Sequence, residues 1–203
     1  MIEVSQDGAL WVVTLNRPDK ANALTRPMLA TISAAVQTAQ TAGARALILT
    51  GRGAVFSAGA DLEAAKAGLA VDSIWEEVSA AVAGFPGLTI AALNGTLAGG
   101  AIGMALACDL RLAVPEAKVF YPVMRLGHLP QPSDPARLVA LVGPARAKMI
   151  LLAGVKVSAS EALTWGLIDR IAPPDDLMST ARALARDVLA AGSRHAAAIK
   201  RMI

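Results

Sequence analysis

Apolar residues recur along this chain with two periods, and the switch from one to the other marks out most of its elements. Residues 2–4 and 10–15 are short β-favouring runs about Asp7-Gly8, the pattern of a hairpin. Met28, Leu29, Ile32, Ala35, Val36 and Ala39 then return at helical spacing, with Thr25 placed as the N-cap, Pro27 in the first turn and Gly43 past the end. Residues 46–50 are a continuous apolar run that predicts a buried strand, and 51–59 read as a loop. Asp61 is placed to cap a helix running to about Gly68, and a second helix over 73–83 stops at Gly84 and Pro86.

The most informative stretch is 88–113. A β-favouring run over 88–93 ends at Asn94-Gly95, and Gly99-Gly100 opens a small-residue segment, 101–107, suited to a helix packed on all sides. Bare glycine backbone at a helix start lets a ligand approach unpaired N–H groups, which suits a developing negative charge. A membrane span is excluded because Asn94, the glycines, Asp109 and Arg111 interrupt the apolar run. Gly95, Gly99, Gly100 and Gly103 do not have the spacing of a dinucleotide-binding loop.

Further on, 109–114 and 117–121 read as strands about Pro115, and Pro130-Gln131-Pro132-Ser133 as the cap of a helix over 134–141. Gly143-Pro144 starts the next helix, Ser158 and Glu161 spell a capping box, and Gly166 stops its helix. A strand over 167–171, the break Pro173-Pro174 and an amphipathic helix over 175–190 complete the pattern. The recurring strand, strand, helix alternation, with neither linker nor repeat, predicts a single α/β domain.

Composition narrows the class. With 203 residues and 55% hydrophobic content the chain can bury a sizeable core. Its single cysteine, Cys108, excludes an internal disulfide and reads as a small buried hydrophobe in a reducing compartment, so a cytoplasmic protein is expected. The N-terminus lacks the basic head and apolar run of a signal peptide. A net charge of +3, scattered basic residues and 3% aromatics give no nucleic-acid surface. No Cys/His cluster predicts a metal.

Several motifs occur together in order: Arg17-Pro18 with Asn22-Ala23-Leu24; Phe56-Ser57-Ala58-Gly59-Ala60-Asp61-Leu62; Ile90 to Gly95 with Gly99-Gly100; Cys108-Asp109-Leu110-Arg111; and Leu126-Gly127 with Pro130. In this ordered set the chain resembles the crotonase superfamily, the enoyl-CoA hydratase/isomerase family. The resemblance implies a spiral of β-β-α turns over residues 1–172, a short helical C-terminal segment over 173–203, and a homotrimer or hexamer. It implies an acyl-CoA substrate, with coenzyme A as part of that substrate and no separate cofactor. By the same resemblance the N–H groups of Ala60 and Gly100 hold the thioester oxygen, with Ala58, Gly59 and Gly99 beside them. Asp61, Leu62 and Glu63 shape the acyl channel, and Ala21, Ala23 and Leu24 lie beside the nucleotide end.

Two departures bear on the reaction. Hydratases of the family carry one glutamate in the helix after the double glycine and another after the proline of a later Pro-Glu motif; this chain has Gly103 and Val123 there. Neither side chain transfers a proton. His128, Asp134 and Tyr121 are the other polar candidates, set against simpler roles: a solvated loop histidine, a helix cap shared with Ser133, and a buried strand aromatic. Asp61 likewise reads as a helix cap, and Glu76 and Glu77 as a solvated helix face. The resemblance also leads one to expect more chain after residues 193–203 and more between Asp61 and Phe85. Two readings stay open: an enolate-stabilising enzyme performing decarboxylation, hydrolysis, isomerisation or an atypical lyase step, or an inactive relative that binds acyl-CoA or assembles with other subunits.

Overall fold

The N-terminal hairpin forms one edge of the larger of two sheets. In chain order the strands are β1 (Ile2–Asp7), β2 (Leu10–Leu15), β3 (Ala46–Gly51), β4 (Val55–Ser57), β5 (Leu88–Leu93), β6 (Thr96–Ala98), β7 (Leu110–Ala113), β8 (Lys118–Phe120), β9 (Val157–Ser158) and β10 (Arg170–Ile171). The computed structural model describes residues 1–203, the side chain of Ser193 excepted. The larger sheet runs β1-β2-β3-β5-β7-β10, and the smaller runs β4-β6-β8-β9. Apart from the two outer antiparallel pairs, β1 with β2 and β8 with β9, neighbours are parallel.

The three central turns of the chain, which begin at β3, β5 and β7, each give a strand to the large sheet, a strand to the small one, and then helix. The helices are α1 (Arg26–Thr41), α2 (Leu62–Lys66), α3 (Ile74–Ala83), α4 (Ile102–Leu106), α5 (Val123–Leu126), α6 (Asp134–Leu151), α7 (Ala159–Trp165), α8 (Leu177–Leu184), α9 (Arg186–Ala190) and α10 (Ser193–Lys200). Parallel strands need a crossover connection, and burial on both faces explains why β3 and β5 are apolar runs without alternation. Every residue of α4 is buried, as its small-residue composition predicts.

Several expectations are corrected. The segment 51–59 is not all loop: it contains β4, and β6 follows Asn94-Gly95, both three residues long. The helix expected over 175–190 is broken into a 3-10 turn at Pro174–Asp176, α8 and α9, and the strand expected over 167–171 is only β10. α6 covers both helices expected around residue 143, with the kink at Gly143 (φ 78°, ψ 166°) before Pro144. Thr25 is at the N-cap of α1, but its hydroxyl makes no capping bond. Ser158 and Glu161 do form their capping box.

Arg111 is buried near the start of β7, where Cys108 O, Asp109 O and Leu167 O accept its guanidinium hydrogen bonds. The neighbouring Cys108 thiol is also buried, which pushes its pKa up to about 12, so it behaves as the inert hydrophobe its solitude suggested. The C-terminal segment is tied back to this core. Arg45 donates to Ala191 O, and Lys200 reaches Asp109 Oδ2 at 2.7 Å and Gly87 O at 3.0 Å. Among the described residues, no helix is long and apolar enough to cross a membrane.

Candidate active site

Because β4 and β6 are parallel neighbours, the turns that leave them come out at the same edge of the small sheet. These turns are Ala58-Gly59-Ala60 and Gly99-Gly100, and they touch. Gly59 has φ 93°, and a side-chain carbon there would stand 3.0 Å from Ala98 O, 3.1 Å from Gly99 Cα and 3.4 Å from Gly100 N. A glycine is needed on both counts, backbone angle and space. Leu24 N donates to Gly59 O and Asp61 N to Leu24 O, so the bridge skips the Ala60 N–H. Gly100 lies in the first turn of the 3-10 segment Gly99–Ala101 that leads into α4, where an N–H has no intrahelical carbonyl to meet.

The first turn is held from behind by residues whose roles the sequence did not disclose. Ala21 and Asn22 both have left-handed backbones, φ 50° and 51°. Asn22 is buried; its Oδ1 accepts from Arg17 N, and its Nδ2 donates to Arg52 O and Val55 O. Ser57 Oγ donates to Asn22 O and accepts from Gly59 N, while Ala58 N donates to Ala21 O. Asn94 braces the other side, its Oδ1 accepting from Gly51 N and its Nδ2 donating to Gly53 O. The available signal was the asparagine itself, a residue type that tolerates a φ above zero better than most side chains.

Ala21, Ala23 and Leu24 thus line the inner side of the Ala58-Gly59-Ala60 turn, and Asp61 follows it as the cap of α2. Asp61 Oδ1 accepts from Glu63 N and Ala64 N, and Oδ2 from Arg17 Nη1 at 2.7 Å. The Arg17 hydrogen bond, followed by those of the helix amides, holds the carboxyl below the usual aspartate range. Leu62 and Glu63 project at the surface, Glu63 paired with Lys66.

The second turn faces a different set of groups. A side-chain carbon at Gly100 would stand 3.1 Å from the Trp75 ring, whose Nε1 donates to Leu69 O. One turn further along, a side-chain carbon at Gly103 would stand 2.7 Å from Asp134 Oδ1 and 2.8 Å from Ser79 Oγ. Asp134 is fully buried. Its Oδ2 accepts from Tyr121 Oη at 2.9 Å, while its Oδ1 and the Ser79 hydroxyl have no hydrogen-bond partner. Tyr121 in turn accepts from Gln131 N. Burial raises the Asp134 pKa to about 6, and Glu76 adds to the rise, against the lowering effects of Tyr121 and Arg137. Burial also raises the pKa of Tyr121, with the Asp134 charge adding to it.

Asp134 is therefore not the helix cap expected of it, and neither is Ser133. Glu76 reaches over from α3, and its Oε2 accepts from both the Ser133 N–H and the Ser133 hydroxyl, which in turn accepts from Arg137. Glu76 is accordingly half-buried rather than on a solvated face. Asp134 and Tyr121, separate candidates in the sequence, come together. His128 does not join them: it is exposed on the loop after Gly127, its N–H bonded to Val123 O. Val123 is buried and apolar at the start of α5.

Two cavities are lined by residues other than those of the two glycine turns. One of about 250 Å³ is lined by Gln40, Arg45, Gly87 and Arg194, and one of about 290 Å³ by Phe120, Met124, Arg125 and Lys156. Among the described residues, no three His, Cys, Asp or Glu side chains are grouped to hold a metal ion.

Comparison with known proteins places the chain in a family. Residues 5–203 match the sequence model of the enoyl-CoA hydratase/isomerase family. The chain is 38% identical over 189 residues to YngF of Bacillus subtilis, covering 89% of this chain and 72% of YngF. It is 34% identical over 210 residues to the carnitinyl-CoA dehydratase of Salmonella arizonae, covering 98% of this chain and 78% of that protein. Among solved structures, the enoyl-CoA hydratase from Bacillus anthracis has a TM-score of 0.91 at 30% identity, over 98% of this chain and 81% of that one.

Proposed function

Because the chain belongs to the enoyl-CoA hydratase/isomerase family and has its crotonase fold, we propose that it binds an acyl-CoA thioester and stabilises an enolate formed from it. The thioester oxygen sits between the N–H groups of Ala60 and Gly100, and the coenzyme A portion leaves past Ala21, Ala23 and Leu24. The observation behind this reading is the contact of the two glycine turns, together with the Ala60 and Gly100 N–H groups being donors in none of the hydrogen bonds among the described residues.

When a proton or a carboxyl group leaves the carbon next to the carbonyl, negative charge moves onto the carbonyl oxygen. Donors already fixed in place stabilise that charge without reorganising, and one such donor is worth on the order of 3 kcal/mol in the transition state. The same pair suits decarboxylation, isomerisation, elimination or the oxyanion of thioester hydrolysis. Hydration through two glutamates does not carry over, since Gly103 and Val123 supply no carboxylate.

The test compares a thioester with its thioether analogue, which keeps coenzyme A and the acyl chain but lacks the carbonyl oxygen. Acyl-CoA thioesters should raise the melting temperature and bind more tightly than the thioether. Equal affinity for the two would remove the carbonyl-binding role, and binding of neither would end the acyl-CoA reading altogether.

A further inference from the structure

We propose that Asp134 is the proton-transferring group of this site, its free Oδ1 acting on the carbon next to the thioester carbonyl while Tyr121 holds Oδ2 in place. The inference rests on the acyl-CoA reading above and adds to it a group that α6, rather than α4 or α5, supplies.

Position is the first argument. Gly103 is one helical turn beyond Gly100, so the two stand on the same side of the segment that holds the proposed carbonyl site. Gly103 has no side chain, and the space this leaves is where Asp134 Oδ1 and Ser79 Oγ converge, each within 2.8 Å of one point. The backbone of Gly103 does not itself call for glycine, since it lies within a helix without a positive φ.

Hydrogen bonding is the second. Buried polar atoms in folded proteins nearly always have partners, and one without a partner calls for an explanation, of which a catalytic role is one. Here one oxygen is fixed at 2.9 Å by the Tyr121 hydroxyl and the other, fully buried, has none. One oxygen oriented and the other available is the arrangement a general base requires. The charged and titratable groups that bear on it are Tyr121, after β8, Glu76 on α3 and Arg137 on α6. Burial and Glu76 favour the acid, Tyr121 and Arg137 the anion, and the balance at about 6 leaves it able to accept and return a proton near neutral pH.

The chemistry balances without a co-reactant. The C–H bond next to the carbonyl breaks, its proton passes to Asp134 Oδ1, and its electron pair forms the C=C bond of an enolate as the carbonyl pair moves onto oxygen, held by Ala60 and Gly100. When the proton on Asp134 Oδ1 swaps with a solvent deuteron before it is returned to the same carbon, the product carries α-deuterium. Return to the far carbon of an unsaturated acyl chain moves the double bond. Either way the carboxylate is regenerated and nothing is oxidised or reduced. Tyr121 is a positioning residue.

The experiment uses the full chain with butyryl-CoA and 3-butenoyl-CoA in D2O, reading α-deuterium uptake by mass spectrometry and binding by thermal shift. The wild type should bind and exchange, with a rate that rises through about pH 6. Asp134→Asn, nearly isosteric, should still bind while exchange falls about 100- to 10,000-fold. Tyr121→Phe removes a hydrogen bond that lowers the Asp134 pKa, so its rate profile should shift to higher pH. Binding without exchange in the wild type, undiminished exchange in Asp134→Asn, or an unmoved profile in Tyr121→Phe would each overturn the assignment of Asp134. Absence of binding in the wild type would instead bring down the acyl-CoA reading, and this inference with it.

Discussion

At the scale of single residues, the buried carboxyl of Asp134 has a consequence for stability that is independent of any substrate. Its pKa in the fold, about 6, lies above that of an ordinary aspartate, so the folded chain binds the proton more tightly than the unfolded one. Its contribution is favourable at low pH and is lost as pH rises from about 4 to about 6, by on the order of 2–3 kcal/mol. Asp134→Asn cannot ionise. The variant should melt at a higher temperature than the wild type at pH 7, and the gap should close by pH 4; a gap that stayed constant over that range would contradict a buried titrating carboxyl. The residues of the glycine turns were legible in the sequence because their motif is contiguous. Asp134 stood only as one of three polar candidates, because its partners are distant in the chain and Pro-Ser-Asp before an apolar run has the local signature of a helix cap. The carboxylate that does cap this helix, Glu76, comes from α3 and leaves no trace near position 134.

At the scale of elements, what was legible followed length. The six-residue strands β2, β3 and β5 and the sixteen-residue α1 lie close to where apolar period and end signals put them. Strands β4 and β6 escaped because three residues show no period, yet they position the site. Such short strands hold little by their own ladder bonds, so the side chains that staple them matter more than usual. Asn22 is the clearest case, with three hydrogen bonds made by a buried amide on a left-handed backbone. Asn22→Ala should cost on the order of 3 kcal/mol from lost hydrogen bonds and backbone strain. Chemical denaturation measures this directly, and a loss below about 1 kcal/mol would mean that the β4 turn is held by something else.

Over the whole molecule, the α/β spiral is the part that the sequence expressed most fully, because the order of strand, strand and helix is a property of the chain as a whole. Quaternary structure was expressed only through the family resemblance. Met124, Leu126 and Leu129, on α5 and the loop after it, are exposed, as is Leu152 just past α6. Met124 and Leu152 line one cavity, and exposed apolar side chains grouped in this way favour association with a further copy. A trimer or hexamer is expected by light scattering. A monomer at every accessible concentration would contradict it.

The empty side-chain position at Gly103 sets two demands on this chain against each other. In a buried helix, alanine is favoured over glycine by about 1 kcal/mol, so helix propensity alone argues for its replacement. The added methyl would have to stand where Asp134 Oδ1 and Ser79 Oγ now lie, and would drive them out. Replacing Asp134 itself removes a charge that the fold solvates poorly at neutral pH. A library selected only for heat resistance would therefore enrich neutral substitutions at position 134, together with any change near Gly103 that lets the carboxyl escape to water. The thermostable chains it returned would be drawn from those least able to move a proton, with the trade-off between stability and activity concentrated at two positions thirty-one residues apart in sequence.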